Sequence, residues 1–251
     1  MIKRYLSPTV SEEEWPVWRI IVIFVITVIA GIIGALIYFF GPTWSDVAGD
    51  TVSPSSSTRI INLEVSGTLL AIPAHYTRYG RDRTSRMRDN VELHALLPNL
   101  TGYSDSAKAS FEFSSDQSDL LLITIGPIEH KMPPNRLINE VYRPLLIKKG
   151  RASTLDTKIG LKRSAFAEGT IYASATFYET TLRVDDTQKS PFYICSIRAT
   201  GGEWCTGRLR IGNSAQAIYR FSRKHLENWE QINQRLAQKL SQFRADARKE
   251  N

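Results

Sequence analysis

An uninterrupted apolar stretch from Ile20 to Phe40 constrains this chain more than any other feature. It holds no charge and departs from aliphatic, Ala or Phe residues only at Thr27, Gly31, Gly34 and Tyr38. About 20 residues at ~1.5 Å each match the roughly 30 Å hydrocarbon core of a bilayer, whereas a buried soluble helix rarely stays apolar all round for so long. The run predicts one transmembrane helix with a large remainder on one side of the bilayer. A cleaved signal peptide fits less well. Its apolar core spans about 7 to 15 residues and precedes a small-residue cleavage site, and Gly41-Pro42-Thr43-Trp44 is a poor one.

The flanks set the orientation. The leading tail carries Lys3, Arg4 and Arg19, while Gly41 to Thr58 has no Lys or Arg, and positive residues in short loops stay cytoplasmic. The N-terminus is therefore expected inside and the body outside, in the inner membrane and periplasm of a cell envelope. Trp15, Trp18 and Trp44 bracket the run, with Tyr38 near its outer end, as aromatic residues do at the two interfaces. Within the run, Thr27, Gly31 and Ala35 recur every four residues and Ala30 and Gly34 form an adjacent pair. Small residues on one face let a second helix approach closely in lipid, although Gly and Ala are also simply frequent in membrane helices.

The organisation expected is a cytoplasmic tail over 1–19, an anchor over 20–40, a linker over 41–58, a β-rich domain over 59–221 and an amphipathic helix over 222–251. Ser-rich composition with Pro54 marks the linker. A formal charge of +7 suits an acidic partner protein or anionic membrane lipid. Nucleic acid is excluded for a body held outside the cytoplasm.

Strand-like runs occupy Arg59–Val65, Thr68–Ile72, Val91–Leu97, Phe111–Phe113 and Leu120–Ile125, the last apolar on both faces and so expected to be central in its sheet. Between Pro134 and Leu146 the spacing of Leu137, Ile138, Val141 and Leu145 predicts a short helix interrupted at Pro144. Strands resume at Gly160–Phe166, Thr170–Val184, Pro191–Ala199, Trp204–Ile211 and Ala215–Phe221, with Asp185-Asp186, Gly201-Gly202 and Gly212-Asn213 as turns. Turns this short cannot join parallel neighbours, so this half should be an antiparallel meander. The fold class expected is thus a membrane-anchored α+β domain. Cys195 and Cys205 fall on two runs joined by Thr200-Gly201-Gly202, so a hairpin would bring them together, and outside the cytoplasm a facing pair oxidises to a disulfide.

From Ser222, a candidate N-cap, the positions Leu226, Trp229, Ile232, Leu236, Leu240 and Phe243 step by three or four along one helical face. This face can pack on its own domain, pair with a partner helix or lie on a membrane. Its length of about 37 Å, more than one small sheet covers, keeps a partner in contention. Two basic clusters stand out as well. Arg78, Arg81, Arg83, Arg86 and Arg88 lie between two strands, opposed only by Asp82 and Asp89, and Lys148, Lys149, Arg151, Lys158, Lys162 and Arg163 follow the short helix. Guanidinium groups grip phosphate and carboxylate in pairs of hydrogen bonds, so the arginine loop is a candidate for an anionic partner; a merely solvated loop is the plainer alternative.

Catalytic signatures are missing. The sequence has no nucleophile elbow, zinc-protease helix, phosphate loop or dinucleotide fingerprint. No catalytic residue, metal or cofactor is expected, and the one arrangement with metal-binding potential is Glu92 with His94 on a strand, His75 joining from a neighbour. The sequence therefore points to a non-enzymatic binding, scaffolding or accessory subunit of an envelope complex. A tethered enzyme acting on envelope polymers or lipids, or a transient assembly factor, are the alternatives.

Overall fold

The computed structural model describes residues 17–40, 50–84, 86–112, 117–129, 132–147, 153–180, 191–197 and 201–249. The leading tail with Lys3, Arg4 and Trp15, together with Trp44, Phe113, Lys148, Lys149, Arg151 and the Asp185-Asp186 turn, lies outside the described residues. The chain divides into two compact units, Met1–Ala48 and Gly49–Asn251.

The first unit contains helix α1, Val17–Phe40. Counted over the described residues, no helix is long and apolar enough to cross a membrane. The sequence of α1 nevertheless carries a single charge, Arg19, in 24 residues, a length of about 36 Å. All its described side chains are exposed, Phe24 at 69 % among them. Thr27 Oγ1 donates to the Ile23 carbonyl at 2.8 Å, so its hydroxyl is satisfied within the helix. Ala30, Gly31 and Ala35 are exposed beside it.

The second unit is α+β. A hairpin of β1 (Ile60–Val65) and β2 (Thr68–Pro73) is extended by the two-residue β3 (Met87–Arg88), which runs parallel to β1. The remaining strands form one eight-stranded sheet. They are β4 (Val91–Leu96), β5 (Leu120–Pro127), β6 (Ser153–Asp156), β7 (Leu161–Ala165), β8 (Ala175–Thr180), β9 (Phe192–Ile197), β10 (Glu203–Ile211) and β11 (Ala215–Ser222), in spatial order β4-β5-β11-β10-β9-β8-β7-β6 with every pairing antiparallel. The meander from β7 to β11 follows the short turns of the sequence. β5 sits between β4 and β11 and is buried on both faces over most of its length, as its continuous apolar run implied.

Two expected strands are placed otherwise, and β3 and β6 form where the sequence pattern predicts none. Phe111 ends a helical turn, α2 (Lys108–Phe111), rather than opening a strand, because its ring packs edge-on against His94 at 4.7 Å and Tyr103 at 5.2 Å. The strand expected from Thr170 begins only at Ala175, since Tyr172 is drawn away to stack on Phe166 at 5.0 Å. The helix expected over 134–146 is present in three pieces: α3 (Pro134–Arg136), a π-helical stretch over Leu137–Tyr142 and a 3-10 turn over Arg143–Leu145 that accommodates Pro144. It covers one face of β8 and β9, where Leu137, Ile138 and Tyr142 close a small core with Phe166, Phe177 and Phe192.

The main core lies on the other face. Helix α4 (Trp229–Lys249) packs against β2 and β10, and a single apolar cluster joins it to the hairpin and the eight-stranded sheet. Leu226, Trp229, Ile232, Leu236, Leu240 and Phe243 are each 6 % exposed or less. The face considered for a partner is therefore consumed inside the domain. Its length matches because the helix serves two sheets rather than one. Trp229 Nε1 donates to the Ile159 carbonyl at 2.8 Å, while Phe243 meets Tyr76 edge-on at 5.4 Å. At the centre, Gly207 leaves room for two tyrosines, since a Cβ there would stand 2.5 Å from Tyr219 Cζ. The Tyr219 hydroxyl lies 3.2 Å from that of Tyr193 and 3.1 Å from Asn233 Oδ1 of α4, so the buried phenols are partnered. Cys195 and Cys205 oppose each other in the β9–β10 register and are bridged, with Cα atoms 3.9 Å apart.

Truncating Leu236, 1 % exposed and wedged between the two sheets, to alanine should lower the unfolding free energy of the full chain by about 2–5 kcal/mol. Denaturant melts of wild type and Leu236→Ala measure it, and a loss below 1 kcal/mol would show that α4 does not hold the sheets together.

Candidate functional site

The five arginines of the expected anionic-partner loop are placed between β2 and β4 by two 3-10 turns, Ala74–Tyr76 and Gly80–Arg83, and by β3. Four of them are spent within the domain. Arg83 donates to the Ser53 carbonyl at 2.7 Å, to Ser53 Oγ at 3.2 Å and to Thr77 Oγ1 at 3.0 Å. Arg81 pairs with Asp50, Arg78 pairs with Glu92 at 3.4 Å, and Arg88 donates to the Arg81 carbonyl. Arg86 is exposed. The Ser53 N–H also donates to the Arg78 carbonyl at 3.1 Å, and Val52 bridges Tyr79. The loop is a clasp that binds residues 50–53, where the domain begins, rather than a hand open to a partner. Its signal in sequence, charge without partners, arose because Asp50 and Ser53 lie some 30 positions earlier.

Beneath the clasp is a buried polar nest. Asp82 is fully buried, with Oδ2 accepting the Glu92 N–H at 3.3 Å and Arg81 Nε 3.8 Å from Oδ1. Burial pushes its carboxyl above the ordinary carboxylate range. His94, 3 % exposed, is enclosed by Tyr103 and Phe111, and burial, reinforced by Arg78 and Arg83, pushes its pKa down to about 4. His75 Nδ1, Asp82 Oδ1, Arg88 Nε and His94 Nε2 are buried atoms without a hydrogen-bond partner among the described residues. Glu92 and His94 do point to one face of β4, but Arg78 holds the first and aromatic rings cover the second. Among the described residues, no group of three His, Cys, Asp or Glu side chains is placed to hold a metal ion.

A different surface shows in the register of the eight-stranded sheet. On the face opposite α4, one cross-strand row reads His94, Leu122, Arg220, Thr206, Ile194, Phe177, and the next reads Glu92, Thr124, Ile218, Arg208. The aromatic lid of His94 covers the first end and the α3 segment covers the Phe177 end. Between them Thr124, Thr206, Arg208, Ile218 and Arg220 remain partly open to solvent. Arg208 and Arg220 are diagonal neighbours, about 7–8 Å apart by sheet geometry. Arg208 donates to Glu129 at 2.8 Å, while no ion pair holds Arg220 among the described residues. The sequence carried this patch as a strict alternation, Cys205, Gly207, Leu209 and Ile211 inward and Thr206, Arg208 and Arg210 outward. It went unread because no cluster of charge marked it.

No family model and no curated protein matches the sequence. A solved structure with a similar fold is that of an immunity protein of the Stenotrophomonas maltophilia type IV secretion system, at a TM-score of 0.52 and 13 % identity over 74 % of this chain and 94 % of that one. At that identity the likeness establishes a shared fold.

Because His94 binds its proton less readily folded than unfolded, its contribution to stability is complete above pH ~6.5 and is lost as pH falls toward 4. His75 and His225 are shifted the same way, and Asp82, shifted upward, opposes them. The His94 share amounts to about 3 kcal/mol. Melts of wild type and His94→Phe from pH 7 to 4.5 should show a markedly shallower pH slope in the variant; equal slopes would place the titration elsewhere.

Proposed function

We propose that this chain is a membrane-tethered binding protein of a bacterial cell envelope that neutralises a protein partner, in the manner of an immunity protein. The observation that carries this reading is the extent of the fold likeness: nearly all of the immunity protein's chain is matched, and about a quarter of this chain is left outside the match. In this reading α1 crosses the cytoplasmic membrane, with Arg19 and the basic tail inside, and holds the 50–249 body in the periplasm. The exposed Ile, Val and Phe side chains of α1 need a lipid or helix cover, and a bridged Cys195–Cys205 pair suits an oxidising compartment.

The partner is a protein that presents carboxylates. It docks on the open rows of the eight-stranded sheet, where Arg220 offers a charge with no ion pair among the described residues, Arg208 stands diagonal to it on Glu129, and Ile218 and Thr124 offer a flat pleated floor. This face is preferred to the arginine clasp because four of the clasp's five guanidinium groups are already engaged, Arg78 and Arg81 by acids and Arg83 and Arg88 by backbone carbonyls. The chain's surplus of seven positive charges favours encounter with such a surface.

Two measurements check this. Alkaline phosphatase fused after Asn251 should be active, and an inactive fusion with the body recovered in the cytosol would remove the tether and the compartment together. A strain lacking the chain should be killed by neighbouring kin that carry a contact-dependent secretion system. Full-length protein should rescue it, and Arg220→Glu should rescue it at least tenfold less well at equal abundance. Rescue by Arg220→Glu at the wild-type level would move the docking face elsewhere.

A further inference from the structure

The tips of two hairpins and the end of the last helix converge on a cavity that neither the clasp nor the open sheet face uses. The β1–β2 hairpin turns through Ser66 and Gly67, both left-handed at φ 51° and 74°, the geometry of a tight two-residue turn that needs glycine at its second position. The β10–β11 hairpin turns through Gly212, Asn213 and Ser214, with Gly212 at φ 64°. Thr68 Oγ1 and Ser214 Oγ stand 3.1 Å apart, joining the two tips. Arg244 reaches over from α4 and lies against the Gly212 backbone, so close that a Cβ there would be 3.1 Å from its Cζ. The cavity between them measures about 270 Å³ and is lined by Gly67, Thr68, Leu69, Asn213, Ser214 and Arg244.

We propose that this cavity binds a phosphate group. Every polar side chain lining it can donate: the Arg244 fork, the Thr68 and Ser214 hydroxyls and the Asn213 amide. No carboxylate lines it, and among the described residues no ion pair neutralises Arg244, unlike Arg78, Arg81, Arg136, Arg143 and Arg208. A guanidinium presents paired N–H groups in one plane and recognises phosphate oxygens two at a time. The hydroxyls and the amide come from two other elements, so the donors converge from several directions, which suits a tetrahedral oxyanion better than a planar carboxylate. The hydroxyl pair needs no rearrangement of the backbone: one of the two already donates to the other, and both protons can turn outward to an anion. The volume, several times the ~30 Å³ that a water occupies in the liquid, admits a phosphate together with an ester substituent. The phosphate can therefore come from solution or from a lipid headgroup.

The test uses the full chain in a nonionic, phosphate-free detergent. Inorganic phosphate, and separately a short-chain phosphatidic acid held below its micellar concentration, are titrated calorimetrically at constant ionic strength. Wild type should bind at least one of them saturably. Arg244→Gln should weaken that binding tenfold or more and Ser214→Ala severalfold, whereas Arg163→Gln, an exposed charge on β7, should leave it unchanged. Tighter binding of the lipid with the same Arg244 dependence identifies a headgroup site, and equal or tighter binding of inorganic phosphate identifies a solution ligand. Thermal melts of each variant show whether it is folded, and Arg244→Lys, which keeps the charge and loses the fork, should fall between wild type and Arg244→Gln. Absence of saturable binding of both probes, or binding by Arg244→Gln at the wild-type level, would overturn the proposal. Neither result bears on the docking face around Arg220, which the protection assay addresses.

Discussion

Burial of one helical stripe determines this domain. A three-stranded sheet and one half of an eight-stranded sheet each present an apolar face, and neither is large enough to close a core alone. Helix α4 and the 3-10 turn that leads into it, Arg223–Asn228, supply the third wall. Leu226, Trp229, Ile232, Leu236, Leu240 and Phe243 enter the same cluster as Leu63 and Ile72 of the hairpin and Tyr193 and Phe221 of the sheet. Full burial of a side chain of this size is worth about 1.5–3 kcal/mol, so six of them outweigh any surface ion pair in the molecule. The polar atoms that must enter with them are provided for: the Trp229 indole finds a carbonyl, and Asn233 meets the Tyr219 hydroxyl. The long helix is thus a structural strut, and its exposed side is left with interspersed Glu, Gln, Lys and Arg.

With the apolar stripe committed, the arginines divide by what they neutralise. Those at 78–88 hold the entry of the chain onto the outer edge of β4, through Asp50, Ser53 and Glu92. This edge would otherwise offer unpaired strand groups; instead Thr77 bridges Leu93 and the Arg78 N–H donates to the Glu92 carbonyl at 3.0 Å. The clasp has a cost, since Asp82 and His94 are carried inside with it. Their protonation shifts in opposite directions show that the nest tolerates a neutral imidazole and resists a charged carboxylate. Arg220 and Arg244 carry no ion pair among the described residues, and both proposed contacts rest on that.

Much of the fold was legible in the sequence wherever a local period decides the outcome. The alternation of β10 from Cys205 to Ile211 marks a strand with one open and one buried face, and the continuous apolar run of β5 marks one buried on both. The three-residue turn over 212–214 forces the antiparallel order of β10 and β11, the short connection through Gly201-Gly202 does so for β9 and β10, and the Cys195–Cys205 bridge follows from the β9–β10 register. Reading failed where distant partners decide. Phe111 resembles a strand residue until His94 and Tyr103 capture it in a helical turn, and β3 exists only because β1 offers a partner for Met87 and Arg88. The roles of Arg78, Arg81 and Arg83 depended on Glu92, Asp50 and Ser53, none adjacent in sequence. Arg220 and Arg244 were passed over for the converse reason: a lone charge on a strand or helix carries no local signal, and only the register and the meeting of two hairpin tips set it apart.

The proposed function, capture of a protein partner, agrees with where the polar groups of the 50–249 domain lie. Asp82 and His94 are sealed beneath the clasp and its aromatic rings, whereas Thr124, Thr206, Arg208 and Arg220 on the strands remain partly open to solvent. Rigid placement lowers the ordering cost of binding, because fixed strands lose little freedom when a partner arrives. On the proposed reading, in which α1 anchors the domain, confinement to a bilayer surface would add a second advantage by raising the domain's effective concentration toward anything that acts there. Such a tether and a rigid face would together let a modest basic patch hold a partner that the same patch, free in solution, would release.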